Sequence, residues 1–184
     1  MTAPIPYPWY VAAAAIGRCA ITTVVLMLRR KVHQPTTEYG RVVGFSDGTQ
    51  ARVYRETTVD DAAPTAPVTL IVGFRIRWIG GNRVVHWLFR VESVCNTVLF
   101  VGFPGFRSKL WMADDANHRY RGVYDWDGGH RAHAYVRALW WPLMVISERD
   151  SIAYRIVEGT RAATLAGADP LPDRQQWWRP HLSA

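Results

Sequence analysis

Between residues 68 and 78, VTLIVGFRIRW, apolar Leu70, Val72, Phe74, Ile76 and Trp78 alternate with Thr69, Ile71, Gly73, Arg75 and Arg77. That two-residue period predicts a strand with one apolar and one increasingly cationic face. After a Gly80-Gly81-Asn82 turn, residues 83–101 contain no Gly or Pro and place Val84, Leu88, Val91, Cys95 and Val98 or Leu99 on one side of a 3.6-residue repeat. They predict an amphipathic helix, stopped by GFPG at 102–105. Residues 106–113 read as a second strand, DDANH at 114–118 as a turn, and residues 120–126 as a third strand. In that third strand Tyr120, Gly122, Tyr124 and Trp126 point one way, and Arg121, Val123 and Asp125 the other. Asp127 is a candidate N-cap for a helix starting near Gly129, with Ala132, Tyr135 or Val136, Leu139 and Leu143 on its inner stripe. Pro142 should kink or restart that helix, and residues 151–158 supply a fourth strand. The pattern is strand-helix-strand-strand-helix-strand, an α+β unit over residues 68–160.

The flanks read differently. Residues 9–28, WYVAAAAIGRCAITTVVLML, are 20 in number with Arg18 as the single charge, and Arg29-Arg30-Lys31 follow at once. That length crosses a bilayer core, yet a mid-span arginine costs about 2.5–3.5 kcal/mol on insertion scales. Spanning, and lying or docking at a surface, are therefore both open. A cleavable signal peptide is disfavoured, because no Lys or Arg precedes the apolar run and no small-residue cleavage site follows it. Residues 41–58 hold two alternating runs around Ser46-Asp47-Gly48-Thr49, a hairpin signal. Residues 60–67, DDAAPTAP, form a Pro/Ala linker. The chain thus divides into 1–35, an apolar helix serving as anchor or docked element; 36–67, hairpin and linker; 68–160, the α+β domain; and 161–184, a Pro-rich tail.

Composition narrows the function classes. A chain of 184 residues with 49% apolar residues holds one core of ordinary size. The formal charge of +7 is spread as scattered Arg, so no nucleic-acid partner is expected. Nine Trp and eight Tyr point to core, interface or pocket walls. Cys19 and Cys95 stand far apart among apolar neighbours, which fits a reducing compartment and no disulfide framework. His130 and His133 at i, i+3 near Asp127 lack evident further ligands, so no metal is expected. No phosphate loop, nucleophile elbow, HExxH or paired CxxC occurs.

The text PGFRSKLWMADDANHRYRGVYDWDGGHRAHAYVRAL resembles the monooxygenase family of the dimeric α+β barrel (ferredoxin-like) superfamily, related to the antibiotic-biosynthesis monooxygenases. Pro104, Gly105, Lys109, Leu110, Trp111, Gly122, Tyr124, Trp126, Ala134 and Tyr135 carry the likeness, which covers roughly residues 68–159. It implies a ferredoxin-like fold, a homodimer with sheets face to face, and a pocket between each sheet and its helices. The superfamily also holds haem degraders, isomerases, chlorite-dismutating enzymes and proteins without known activity. The N-terminal segment and the hairpin depart from its compact pattern.

Strand parity then assigns a site. With Leu70, Val72, Phe74, Ile76 and Trp78 under the helices, Ser108, Leu110 and Met112 are expected beside them, together with Tyr120, Tyr124, Trp126, Ile152, Tyr154 and Ile156. Phe74, Trp78, Met112, Tyr120, Trp126, Tyr135 and Tyr154 are the candidate substrate-binding residues. His86 is the candidate base, with Asn96, Arg90 or Tyr124 as donors to a developing oxyanion; ordinary packing and capping are the alternative for each. The other face would carry Arg75, Arg77, Lys109, Arg121 and Arg155 with Trp111, neutralised by Asp125, Glu56, Glu92, Glu158 or a partner chain. The expected function is a homodimeric small-molecule enzyme of natural product biosynthesis, acting without metal, nucleotide or other cofactor. Its substrate would be hydrophobic, polycyclic or polyketide-like, and its reaction monooxygenase-like or that of a cyclase or isomerase. The alternative is a non-catalytic, membrane-associated ligand-binding module. The expected location is cytoplasmic, at the inner face of the membrane if residues 9–28 associate with it.

Overall fold

A computed structural model describes residues 5–77, 97–112, 119–166 and 177–181. In chain order the elements are α1 (Trp9–Leu28), β1 (Val32–His33), β2 (Val42–Phe45), β3 (Gln50–Val59), β4 (Pro67–Arg75), β5 (Phe106–Met112), β6 (Arg119–Asp127), α2 (Gly129–Ile146), β7 (Ala153–Glu158), α3 (Arg161–Ala166) and β8 (Pro180–His181). The helix expected at 83–101 falls outside the described residues except for its last positions, where Thr97–Leu99 form a 3-10 turn.

The strands run β7-β4-β6-β5, each antiparallel to its neighbour. This is the ferredoxin-like order, and the fold is α+β. The hairpin extends the sheet as β5-β3-β2-β8, and β1 pairs with the end of β3. Around Asp47-Gly48 only Gly48 takes positive φ (80°); Thr49 N–H and hydroxyl both donate to the Asp47 carboxylate, which closes the turn.

Two cores lie on the two faces of this sheet. Under α1 and α2 sit Val68, Leu70, Val72, Trp111, Tyr124 and Trp126 against Tyr135, Val136 and Leu139. Val43, Phe45, Val53, Ile71, Leu110, Met112 and Val123 fill the other, closed by Leu165 of α3 and by Trp177. Each fully buried Leu, Ile or Phe stabilises the fold by roughly 1.5–3 kcal/mol relative to exposure. The stretch read as a tail is therefore structural. A Cβ on Gly73 would come within 2.8 Å of the Trp177 ring, and β8 pairs with β2. The sheet-to-sheet dimer implied by the resemblance needs this second face open, whereas here the chain's own hairpin, α3 and Trp177 cover it.

The parity expected for β5 is corrected by one residue. Phe106 pairs with Trp126 but Ser108 already pairs with Asp125, so β5 gains a residue against β6 and bulges between them. A bulge of this kind reverses the facing of all that follows. Lys109 and Trp111 consequently join Phe106 under the helices, and Ser108, Leu110 and Met112 turn to the opposite side. Either choice offered one face a polar and apolar mixture, so alternation alone did not mark the shift.

Asp127 does not cap α2, whose N-cap is Gly128 at φ 95°. Its carboxylate instead accepts bonds from Thr65 N–H and Ala66 N–H at 2.9 Å and pairs with Arg107 and Arg131, pinning the start of β4 to the end of β6. A single helix runs on through Pro142 to Ile146. The first helix is docked along one stripe, Ala12, Cys19 and Thr23. The Thr23 hydroxyl donates to Cys19 O at 2.9 Å and accepts from Gly102 N–H at 2.8 Å. A Cβ on Gly102 would stand 2.1 Å from Cys19 O, so only glycine permits this approach.

Candidate functional site

Between the helix-covered sheet face and α2 lies a cavity of about 100 Å³ lined by Val72, Phe74, Lys109, Trp111, Tyr124, Tyr135, Leu139 and Tyr154, among others. Its inner wall, Lys109, Trp111, Tyr124 and Tyr135, is buried, and its rim, Leu143, Ile146, Ile152 and Tyr154, is half-buried. An engineered cavity of about 150 Å³ holds benzene. This space therefore suits one small ring or a short branched chain, not a fused polycycle lying wholly inside.

Lys109 is the chemical centre of the wall. The β5 bulge swings it under the helices, where it is 5% exposed. Its Nζ lies 3.1 Å from the centroid of Trp111, 4.1 Å from Phe100 and 4.8 Å from Tyr124. No described carboxylate is in ion-pair reach. Burial, then the positive charge of Arg55, lowers its pKa well below that of an ordinary lysine. Ring faces attract a cation, by roughly 2 kcal/mol each when desolvated. Stripping water from an unpaired ammonium costs at least several kcal/mol, and the Arg55 guanidinium adds repulsion. A lowered pKa makes the neutral amine, a base and nucleophile, easier to reach than for an exposed lysine.

The surrounding groups are held in place. Trp111 Nε1–H donates to the Thr57 hydroxyl at 3.2 Å, and Arg55, stacked 5.2 Å from the Trp111 ring, donates to the Thr97 hydroxyl. Tyr135 donates its hydroxyl proton to the Tyr124 oxygen at 3.2 Å. Burial raises the pKa of both phenols, so both stay protonated. Gly122 makes room for one of them, because a Cβ there would meet the Tyr124 Oη at 2.9 Å. The Y-x-G-x-Y spacing thus has a steric reason: the glycine two positions back lets the tyrosine lie along the sheet.

Of the residues singled out in the sequence, Phe74, Tyr124, Tyr135 and Tyr154 line the cavity. Trp126 is fully buried behind Tyr135, ring centroids 4.9 Å apart, and Tyr120 stacks on Phe74 away from the lining. Met112 belongs to the opposite core, for the bulge reason given above. His86, Arg90, Asn96 and Trp78 lie outside the described residues, as do Glu92 and Cys95. Lys109 was missed as a site residue; the signal was Phe106 and Trp111, two large apolar residues whose odd separation requires a bulge if both are to reach one core.

On the other face the cations and carboxylates pair otherwise than expected. Buried Arg121 donates to Asp47 at 2.8 Å over the ring of Phe45, and Arg161 pairs with Glu56 at 2.6 Å and Asp125 at 3.6 Å. Arg155 lies over Trp178. His133 meets Tyr154 edge to face, while the nearby Asp127 carboxylate is committed to backbone amides and arginines. Among the described residues no group of His, Cys, Asp and Glu is placed to hold a metal ion.

No protein-family model matches the chain, and no curated protein matches it. Solved structures similar to it include a ferredoxin-fold protein related to antibiotic biosynthesis monooxygenases from Listeria monocytogenes, at 12% identity over 70% of this chain and 91% of that one, TM-score 0.42. Another is a monooxygenase-like protein from Listeria innocua, at 10% identity over 71% and 92% respectively, TM-score 0.42. A heme-degrading enzyme from Listeria monocytogenes matches at 12% identity over 70% and 98%, TM-score 0.41. The fold assignment stands on this chain's own strand order, and its chemistry on its own residues.

Proposed function

We propose that the chain is a small-molecule enzyme whose own side chains start the reaction by removing a proton from carbon. The supporting observation is the buried Lys109 amine facing an apolar cavity beside the Tyr124 hydroxyl. A substrate with a carbonyl or phenol next to an acidic C–H would present the C–H to Lys109 Nζ and its oxygen to Tyr124 O–H. The amine takes the proton, and the phenol, itself held by Tyr135, stabilises the enolate oxygen. The dry aromatic wall strengthens both interactions by excluding water.

From that enolate, return of the proton at another carbon is isomerisation, and attack on an internal electrophile is cyclisation. Where dioxygen is the electron acceptor the outcome is monooxygenase-like: the carbanion is oxidised, one oxygen atom enters the product and the other leaves as water. The cavity admits the reacting ring of such a substrate, with the remainder lying at the Leu143, Ile146 and Tyr154 rim.

Phenylacetone, a single-ring ketone, is a suitable probe. Exchange of its α-protons in deuterium oxide, followed by NMR, should be accelerated by the protein and lost in Lys109→Met. It should fall about 100-fold in Tyr124→Phe, the usual range for one oxyanion donor. Equal exchange by wild type and Lys109→Met would remove the proposed base. Oxygen uptake with an oxygenated product in air, and no such product under argon, would select the monooxygenase-like branch.

A further inference from the structure

Among the described residues, none covers the outer side of α1. Opposite the buried Ala12-Cys19-Thr23 stripe run Tyr10, Ala14, Gly17, Ile21, Val24, Val25 and Leu28, with Ile21 69% and Leu28 80% exposed. At 1.5 Å per residue this apolar band is about 30 Å long. Trp9 and Tyr10 sit exposed at one end, near Trp141, whose indole N–H donates to Tyr7 O just before the helix. Arg29, Arg30 and Lys31 stand exposed at the other end, and exposed Arg18 flanks the band at mid-length.

Charge decides what fits this surface. No acidic residue precedes Glu38, and the four ionic side chains on the helix and its end, Arg18, Arg29, Arg30 and Lys31, are all cationic; Asp60, whose N–H donates to Lys31 O, is engaged with His33 at 2.7 Å. A second copy laid on the band would bring like charges together in either orientation, Arg18 to Arg18 or one basic cluster against another. An anionic lipid surface would satisfy them all. The docking contacts also set the orientation: Thr23 is hydrogen-bonded to Gly102 and packed beside it, so a helix crossing the bilayer would have to leave the domain.

We propose that α1 lies in the plane of an anionic bilayer, its Tyr10-Ile21-Leu28 side in the headgroup-acyl boundary and Arg18, Arg29, Arg30 and Lys31 on the phosphates. This arrangement keeps Cys19 and Thr23 on the protein and places the domain flat against the membrane. It matches the aromatic and basic flanks of interfacial helices.

Flotation of the full chain with vesicles tests this. Binding is expected to vesicles of phosphatidylcholine mixed with phosphatidylglycerol, and much less to phosphatidylcholine alone. Ile21→Glu should weaken binding by roughly tenfold or more, and R29Q/R30Q/K31Q by about 100-fold, each with an unchanged thermal melt because neither touches the docked stripe. Equal binding by Ile21→Glu and wild type, or no vesicle binding at all, would overturn the proposal. So would dimerisation abolished by Ile21→Glu without vesicle binding. Release from cell membranes by alkaline carbonate is expected; retention would overturn the in-plane placement in favour of a spanning helix.

Discussion

Replacing Lys109 by methionine separates two accounts of the same buried amine by the sign of a stability change. If the site held a charged ammonium caged by Trp111, Phe100 and Tyr124, the variant would lose ring contacts worth about 2 kcal/mol each at most and would be destabilised. If the amine is neutral, the methionine keeps the aliphatic stem and removes a group whose proton folding must strip away. Stability at neutral pH should then rise by up to about 4–5 kcal/mol, since removing a proton held to about pH 10.4 in the unfolded chain costs about 1.4 kcal/mol for each pH unit down to 7. The pH dependence has a definite sign. In the unfolded chain the amine keeps its proton up to about pH 10.4, and in the folded chain it has lost it well below that. Between those values the unfolded state binds more protons, so wild-type stability rises with pH while that of the variant lacks this slope. The advantage of the variant should be largest toward the lower end of that interval and close as pH approaches 10. Urea denaturation across this range measures it. A loss of about 2 kcal/mol or more, constant with pH, would refute the neutral amine.

Two further outcomes follow from the packing. Gly102→Ala pushes a Cβ against Cys19 O and should cost roughly 1–3 kcal/mol or undock α1; urea denaturation and limited proteolysis after Arg29 or Arg30 would show it, and wild-type behaviour in both would contradict the docking. Asp127, whose pKa is held down to about 2 mainly by Ala66 N–H and then by Thr65 and Arg107, gives stability that is present above the unfolded carboxylate value and is lost as pH falls from about 4 through 2. Asp127→Asn should flatten the acid limb of the stability curve, and an unchanged limb would remove this link between β4 and β6.

The strand order and α2 were legible because β4, β6, β7 and α2 carry clean periods; Phe74, Tyr124 and Tyr154 followed from parity on those strands, and Tyr135 from the inner stripe of α2. Lys109 and Met112 exchanged faces because a single extra residue near Arg107 is invisible to alternation when both faces are partly apolar. The role of residues 177–181 was hidden for another reason. A two-residue strand and one anchoring tryptophan have no periodicity, and their place is set by Gly73 and β2, far away in sequence. Asp127 looked like a cap by position, but two amide donors at the start of β4 outcompete the helix end for its carboxylate.

The state of the Lys109 amine can be observed directly by NMR of the protein labelled with ¹³C at the lysine Cε, the resonance being assigned by its loss in Lys109→Met. Burial predicts a titration well below that of an ordinary lysine. Titration near the ordinary lysine value of 10.5 would contradict it.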